Sequence, residues 1–136
     1  MKLIETYEYN NEGYLKLFSY KEWRIAMLNY IDELDINNIN HVEAHQETDE
    51  VFVLLEGKCQ MILYCSERSE FEIVNLEKNK IYNIPSGVYH NHTLSNDAKV
   101  LIVEQENTDS LNSIRKYFTT EEKQKLYEIW RIKNEV

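Results

Sequence analysis

The sequence predicts an all-β fold, an antiparallel sandwich or barrel finished by one C-terminal α-helix. Three observations carry this. Between Val51 and Glu104, short apolar runs rich in β-branched and aromatic residues alternate with polar turns, which is the rhythm of paired strands. The single proline and two of the three glycines fall in two segments, His45 to Gly57 and Pro85 to His90, that also hold histidines and carboxylates. Late in the chain, Thr119-Thr120-Glu121-Glu122 carries a helix-capping pattern, in which Thr119 and Glu122 each satisfy an orphan amide of the first turn.

The elements follow in order. Tyr14 to Tyr20 and Trp23 to Tyr30 read as apolar stretches, the second with Trp23, Ile25 and Met27 on one side and Ala26 and Leu28 opposite. The acidic, asparagine-rich link Asp32 to Asn40 reads as turn and loop. Val51 to Leu55 is a strand that stops at Glu56-Gly57-Lys58, and Cys59 to Cys65 is the next. Ser66 to Glu70 is a polar hairpin connection to Phe71 to Leu76, after which strands are expected at Lys80 to Ile84, Tyr89 to Leu94 and Ala98 to Glu104. A helix is predicted from about Thr120 to Lys133, with Leu126, Ile129, Trp130 and Lys133 on one face. That face either packs back on the barrel wall or, through Trp130 and Tyr127, makes a homodimer contact.

A chain of 136 residues, 43% of them hydrophobic, has the size of one domain and can bury a substantial core. The barrel is expected over about residues 15 to 104 of a single domain, 1–136. No apolar run is long enough to cross a bilayer, and Met1 to Thr6 turns polar before a leader-like stretch forms, so a cytoplasmic protein is expected. Twenty-four acidic against 15 basic residues give a net charge of −9, which disfavours nucleic acid and anionic membranes as partners. Cys59 and Cys65 share a strand face at a spacing that fits neither a metal knuckle nor a disulfide framework, and read as reduced core cysteines.

Chemistry is expected where the turns are. His45 and Glu50 lie five apart, so a single strand would set them on opposite faces. The polar turn Gln46-Glu47-Thr48-Asp49 lets them converge, with His45 ending one strand and Glu50 starting the next. Glu43 shares the face of His45, and Pro85-Ser86-Gly87 is a second turn that delivers His90. Two imidazoles with one or two carboxylates suit a divalent transition metal: Mn, Fe, Ni or Zn. His41 and His92 have the strand parity to substitute, Phe52 would wall the site behind Glu50, and Tyr89 would point away. Without a metal, Glu43, Glu47, Asp49 and Glu50 could instead bind a cationic or hydroxyl-rich small molecule.

These spacings resemble those of the cupin superfamily, whose motifs are G-x5-H-x-H-x3,4-E-x6-G and G-x5-P-x-G-x2-H-x3-N. Glu43, His45, Glu50 and Gly57 stand at positions of the first motif, and Pro85, Gly87 and His90 at positions of the second. Asn37 and Asn79 replace the leading glycines, Glu43 replaces the first histidine, and Leu94 replaces the final asparagine. Asparagine tolerates positive φ, so the turns survive.

The resemblance implies a jelly-roll β-barrel holding a metal on His45, Glu50 and His90, with Glu43 as a fourth ligand or a general base. It implies a metal-dependent enzyme acting on a small polar, oxygen-rich metabolite, or a non-catalytic small-molecule or carbohydrate-binding domain. A metal-free isomerase of nucleotide-linked sugars would want basic side chains for the diphosphate, and the acidic cluster opposes it. Replacing Gly87 by valine is expected to harm folding more than losing either histidine.

Overall fold

Two five-stranded antiparallel sheets face each other across one core in the computed structural model, which describes residues 2–135. Along the chain the strands are β1 (Gly13–Tyr20), β2 (Trp23–Asn29), β3 (His41–His45), β4 (Glu50–Glu56), β5 (Cys59–Cys65), β6 (Glu70–Asn75), β7 (Tyr82–Ile84), β8 (Tyr89–Leu94), β9 (Lys99–Gln105) and β10 (Ser113–Tyr117). One sheet runs β1-β2-β9-β4-β7 and the other β10-β3-β8-β5-β6. Helix α1 (Thr120–Asn134) follows. The crossed strand order is that of a jelly-roll β-barrel, as the sequence predicts.

Side chains alternate in and out along each strand, and the inward set forms the barrel core. Ala26 and Leu28 from β2, Phe52 and Leu54 from β4, and Val100 and Ile102 from β9 meet Cys59, Met61 and Leu94 of the opposite sheet. Cys59 and Cys65 are free thiols, and burial raises the Cys59 pKa to about 12, so it behaves as core. On β2 the inner face is Arg24, Ala26 and Leu28, the reverse of the side that Trp23, Ile25 and Met27 suggest. Trp23, 42% exposed, lies instead among Phe18 and Tyr20 on the outer surface.

The second sheet is also covered from outside. Ile36, Ile39, Val42, Ile62, Tyr64, Ile73 and Leu126 make a second core between its outer face and α1. Leu126 is 1% exposed, and a fully buried leucine stabilises by about 1.5–3 kcal/mol. Trp130 packs against this cluster and its Nε1 donates to Gln60 Oε1 at 2.8 Å, so the helix docks on its own barrel. The capping box forms as the sequence predicts: Thr119 Oγ1 accepts from the Glu122 amide at 3.1 Å, and Glu122 Oε1 accepts from the Thr119 amide at 2.9 Å. Thr119→Ala should cost about 1 kcal/mol, or about 4 °C in a thermal melt. An unchanged melt would show that docking alone holds the first turn.

Three local features differ from the sequence expectation. The link Asp32 to Asn40 contains two 3-10 turns, Asp32–Leu34 and Ile36–Asn38, because Asp35 accepts from the Asn37 amide at 3.0 Å and caps the second. Asn37 therefore sits in a helical turn with no positive φ, whereas Asn79 does adopt one, at 69°. Strand β10 is new, pairing with β3 from Ser113↔His45 to Tyr117↔His41. Its sequence Ser-Ile-Arg-Lys-Tyr lacks the alternation that marks the other strands. Among the described residues no helix is long and apolar enough to cross a membrane.

Candidate metal centre

The two turn segments singled out by the sequence are bonded to each other. The Asp49 carboxylate accepts from the Ser86 amide at 2.8 Å and from Asn83 Nδ2 at 3.0 Å. The His45 carbonyl accepts from the Gly87 amide at 2.8 Å and from Ser86 Oγ at 3.0 Å. Gly87, at φ 88°, supplies the left-handed residue that this turn needs. The end of β3, the start of β4 and the start of β8 are thereby fixed at one mouth of the barrel.

His45, Glu50 and His90 converge there, with 9%, 7% and 5% exposure, and one donor atom from each lies within 4.8 Å of the others. Glu50 Oε1 stands 3.1 Å from His45 Nε2 and 2.9 Å from His90 Nε2. The far ring nitrogens are held as well. His90 Nδ1 donates to the Val88 carbonyl at 3.0 Å, and His45 Nδ1 meets Ser113 Oγ at 2.8 Å. Such outer contacts fix the rings and leave Nε2 turned to the centre. Phe52 forms the expected apolar wall, edge-on to His90 at 6.0 Å. Tyr89 packs outward beside Tyr64, also as expected.

Glu43 shares the inward face but stands outside this group of three. Its Oε2 accepts from Arg115 Nη2 at 3.0 Å and Nε at 3.3 Å, and its Oε1 lies 3.7 Å from His45 Nδ1. His92 lines the cavity against Phe52, with Nδ1 buried and unpartnered among the described residues. Burial lowers its pKa to about 4, so it is neutral. His41 also lines the cavity, with Nδ1 bonded to Asn40 Oδ1 at 2.8 Å; burial, then Arg115, lowers its pKa.

Glu104 was not legible as a site residue in the sequence. It ends an apolar strand, and the available signal was parity, since Val100, Ile102 and Glu104 point inward together. Glu104 Oε1 accepts from Arg24 Nη2 at 2.6 Å and from the Tyr14 hydroxyl at 2.9 Å. Its Oε2 is buried, has no hydrogen-bond partner among the described residues and lies 3.9 Å from His45 Nε2. Burial, and then the charge of Glu50, raise the Glu104 pKa above the ordinary carboxyl value. Burial would raise Glu50 too, but hydrogen bonds from His45 and His90 outweigh it and hold that carboxyl well below the usual range. Burial pulls the His45 pKa down, but the Glu50 hydrogen bond together with the charges of Glu50, Glu104 and Glu43 outweighs it, so the net shift is upward.

These residues fit a divalent transition ion. Two imidazole nitrogens and one carboxylate converge with outer contacts in place, and an orphaned carboxylate oxygen faces them. Protons compete for the same atoms. Because His45 holds its proton above the ordinary value of 6.5, metal affinity should rise with pH through that raised value and then level off. In protein stripped of metal, the His45–Glu50 contact contributes stability that is fully present below 6.5 and is lost as pH rises through the raised His45 value. Calorimetric metal titration from about pH 5.5 to about 8.5 tests the first statement. A flat affinity would remove His45 from the ligand set.

The family model for 3-hydroxyanthranilic acid dioxygenase (3-HAO) matches residues 36–136. No curated protein sequence matches the chain. Among solved structures, a cupin-2 domain protein from Shewanella frigidimarina is 21% identical, with 72% of this chain and 85% of that one covered at a TM-score of 0.54. The QdtA 3,4-ketoisomerase from Thermoanaerobacterium thermosaccharolyticum, in complex with TDP, is 19% identical, with 67% and 64% covered at 0.55. A Streptomyces nucleoside dehydratase, solved with uridine, is 9% identical, with 87% and 96% covered at 0.60. These three share the fold. The family match takes in His45, Glu50, His90 and Glu104 together with the strands that carry them, and the chain belongs to the 3-hydroxyanthranilic acid dioxygenase family of the cupin superfamily.

Proposed function

We propose that this protein is a mononuclear metal-dependent dioxygenase acting on a small ring that carries two adjacent hydroxyl or amino groups. The observation that carries this reading is the buried His45-Glu50-His90 cluster opening on a cavity of about 680 Å³. That volume admits a small-molecule ligand. Two histidines and one carboxylate are the donor set of non-haem iron oxygenases. The family whose model matches is named for a dioxygenase of a hydroxylated, amino-substituted aromatic acid.

His45 Nε2, Glu50 and His90 Nε2 would hold the ion. Iron(II) bound there supplies a chelation point for adjacent donors and the one-electron chemistry that dioxygen requires. The protein's own contribution is proton handling and orientation. Glu104 Oε2, unpartnered and facing the cluster, is placed to accept the proton that a ring hydroxyl must lose. Burial raises its affinity for a proton above that of an ordinary carboxylate, which opposes the lowering that a nearby divalent ion brings. Arg24 and Tyr14 hold Oε1, so that Oε2 stays aimed. Phe52 closes the apolar side and excludes water.

Protein loaded anaerobically with iron(II) should consume oxygen when mixed with aerated 2-aminophenol or catechol, in proportion to its iron content. Glu104→Gln should keep the iron and lower kcat by about a hundredfold or more. Iron retained without oxygen uptake on any ring with adjacent donors would instead favour a binding protein.

A further inference from the structure

We infer that Glu43 is a specificity residue: by holding Arg115 it withholds the recruitable cation at the cavity mouth, so the site favours an uncharged ring over its carboxylate-bearing analogue. The inference rests on the site being one for chelating rings.

Two arginines line the cavity. Arg24 is consumed. Its Nε and Nη2 donate to Glu104 Oε1 at 3.2 and 2.6 Å, its Nη1 to the Glu106 carbonyl at 3.1 Å, and its Nη2 also to the Thr108 carbonyl at 3.2 Å. With a side chain only 16% exposed, it has no nitrogen to offer a ligand. Arg115 is 49% exposed and could reach one, but Nε and Nη2 both bind Glu43 Oε2. The sheet sets this pair: Arg115 on β10 stands directly opposite Glu43 on β3.

The balance of charge runs the same way. Glu43, Glu50, Glu104 and Asp109 line the cavity against Arg24 and Arg115, a formal charge of 2 − 4 = −2 with neutral histidines. A divalent ion brings this to zero and leaves no surplus for a ligand carboxylate, still less for a diphosphate. A carboxylate arriving at the mouth would lie beside Glu43 and compete with it for Arg115, which disfavours the charged ligand by repulsion. An uncharged ring with a hydroxyl or amino donor meets no such opposition and can donate to Glu104 Oε2.

The test uses protein carrying one zinc(II) per chain, titrated calorimetrically with 3-hydroxyanthranilic acid and with 2-aminophenol, the same ring without its carboxylate. The parent should bind 2-aminophenol about tenfold or more tightly than the acid. Glu43→Gln keeps the size of the side chain and frees Arg115, so it should tighten the acid about tenfold and leave 2-aminophenol nearly unchanged. Adding Arg115→Gln to that variant should cancel the gain, which no merely structural role of Glu43 predicts. Equal or tighter binding of the acid by the parent overturns the inference, as does an unchanged ratio in Glu43→Gln. If neither ring binds the zinc-loaded protein, the inference and the chelating-ring reading fall together; a parent that binds both rings but prefers the acid sinks the inference alone.

Discussion

His90→Ala should strip the barrel of its metal while leaving it folded. In the proposed centre His90 would be one of three donors, and its Nε2 and Nδ1 are both committed, to Glu50 Oε1 and to the Val88 carbonyl. Losing an outer contact of a ligand costs about 10–100-fold in affinity; losing the ligand itself should cost more, about a thousandfold. The fold should survive because the barrel core of Ala26, Phe52, Met61, Val100 and Ile102 is built from other residues. The alanine also removes a donor from the buried Glu50, whose depressed pKa should move back up. His41→Ala is the control, since His41 lines the same cavity outside the three-residue cluster and should keep its metal. Elemental mass spectrometry against a competing chelator reads both. Equal metal retention by the two variants would place the ion somewhere other than between His45, Glu50 and His90.

The strands were legible wherever alternation and turn residues spoke together. Val51 to Leu55 and Cys59 to Cys65 lie within or match β4 and β5, apolar runs cut off by polar residues, and Tyr89 to Leu94 matches β8, placed by the Pro85-Ser86-Gly87 turn before it. The helix start was legible from a local hydrogen-bond pattern, the Thr119–Glu122 box. Strand β10 was not, since Ser113 to Tyr117 carries only Ile114 and Tyr117 as strand-forming side chains and is held by its partner β3. That omission hid Ser113 and Arg115, the residues that meet His45 and Glu43.

The site divided along the same line. His45, Glu50 and His90 were legible because motif spacing and turn chemistry depend on local sequence. The partners that set their electrostatics lie far away in the chain, Tyr14 and Glu104 being 90 positions apart and Glu43 and Arg115 72. Arg24 sits between Trp23 and Ile25 in an apolar run, where its inward face is apparent only once Ala26 and Leu28 are known to be core. Glu43 illustrates the limit. Its strand parity with His45 was readable, but the direction of its carboxylate depends on an arginine in an unrecognised strand.

Gly57→Ala should be among the most destabilising single changes in the chain, worse than the same change at Gly87. Both glycines have positive φ, 72° and 88°, which costs any L side chain about 1–2 kcal/mol. The difference lies in what a Cβ would meet. At Gly87 nothing lies within 4 Å, whereas at Gly57 it would fall 2.6 Å from Ala98 Cα, 2.8 Å from the Ala98 amide nitrogen and 2.8 Å from Asp97 Oδ1. Two of those atoms are backbone, and that backbone is tied down. The Ala98 amide donates to the Ser95 carbonyl at 3.0 Å, the Ser95 amide to the Lys58 carbonyl at 2.9 Å, and the Lys58 amide to Ser95 Oγ at 2.8 Å. The β4–β5 and β8–β9 turns are thus interlocked, and neither can retreat without breaking bonds to the other. Conformational strain and overpacking together should cost about 3 kcal/mol or more, lowering Tm by about 10 °C, against about 1 kcal/mol for Gly87→Ala. Because Gly57 sits at the end of β4 opposite Glu50, the folded fraction should still bind metal. Equal melting temperatures for the two variants would mean that the interlocked turns yield to one methyl group, and that the closed end of the barrel is not held by this contact.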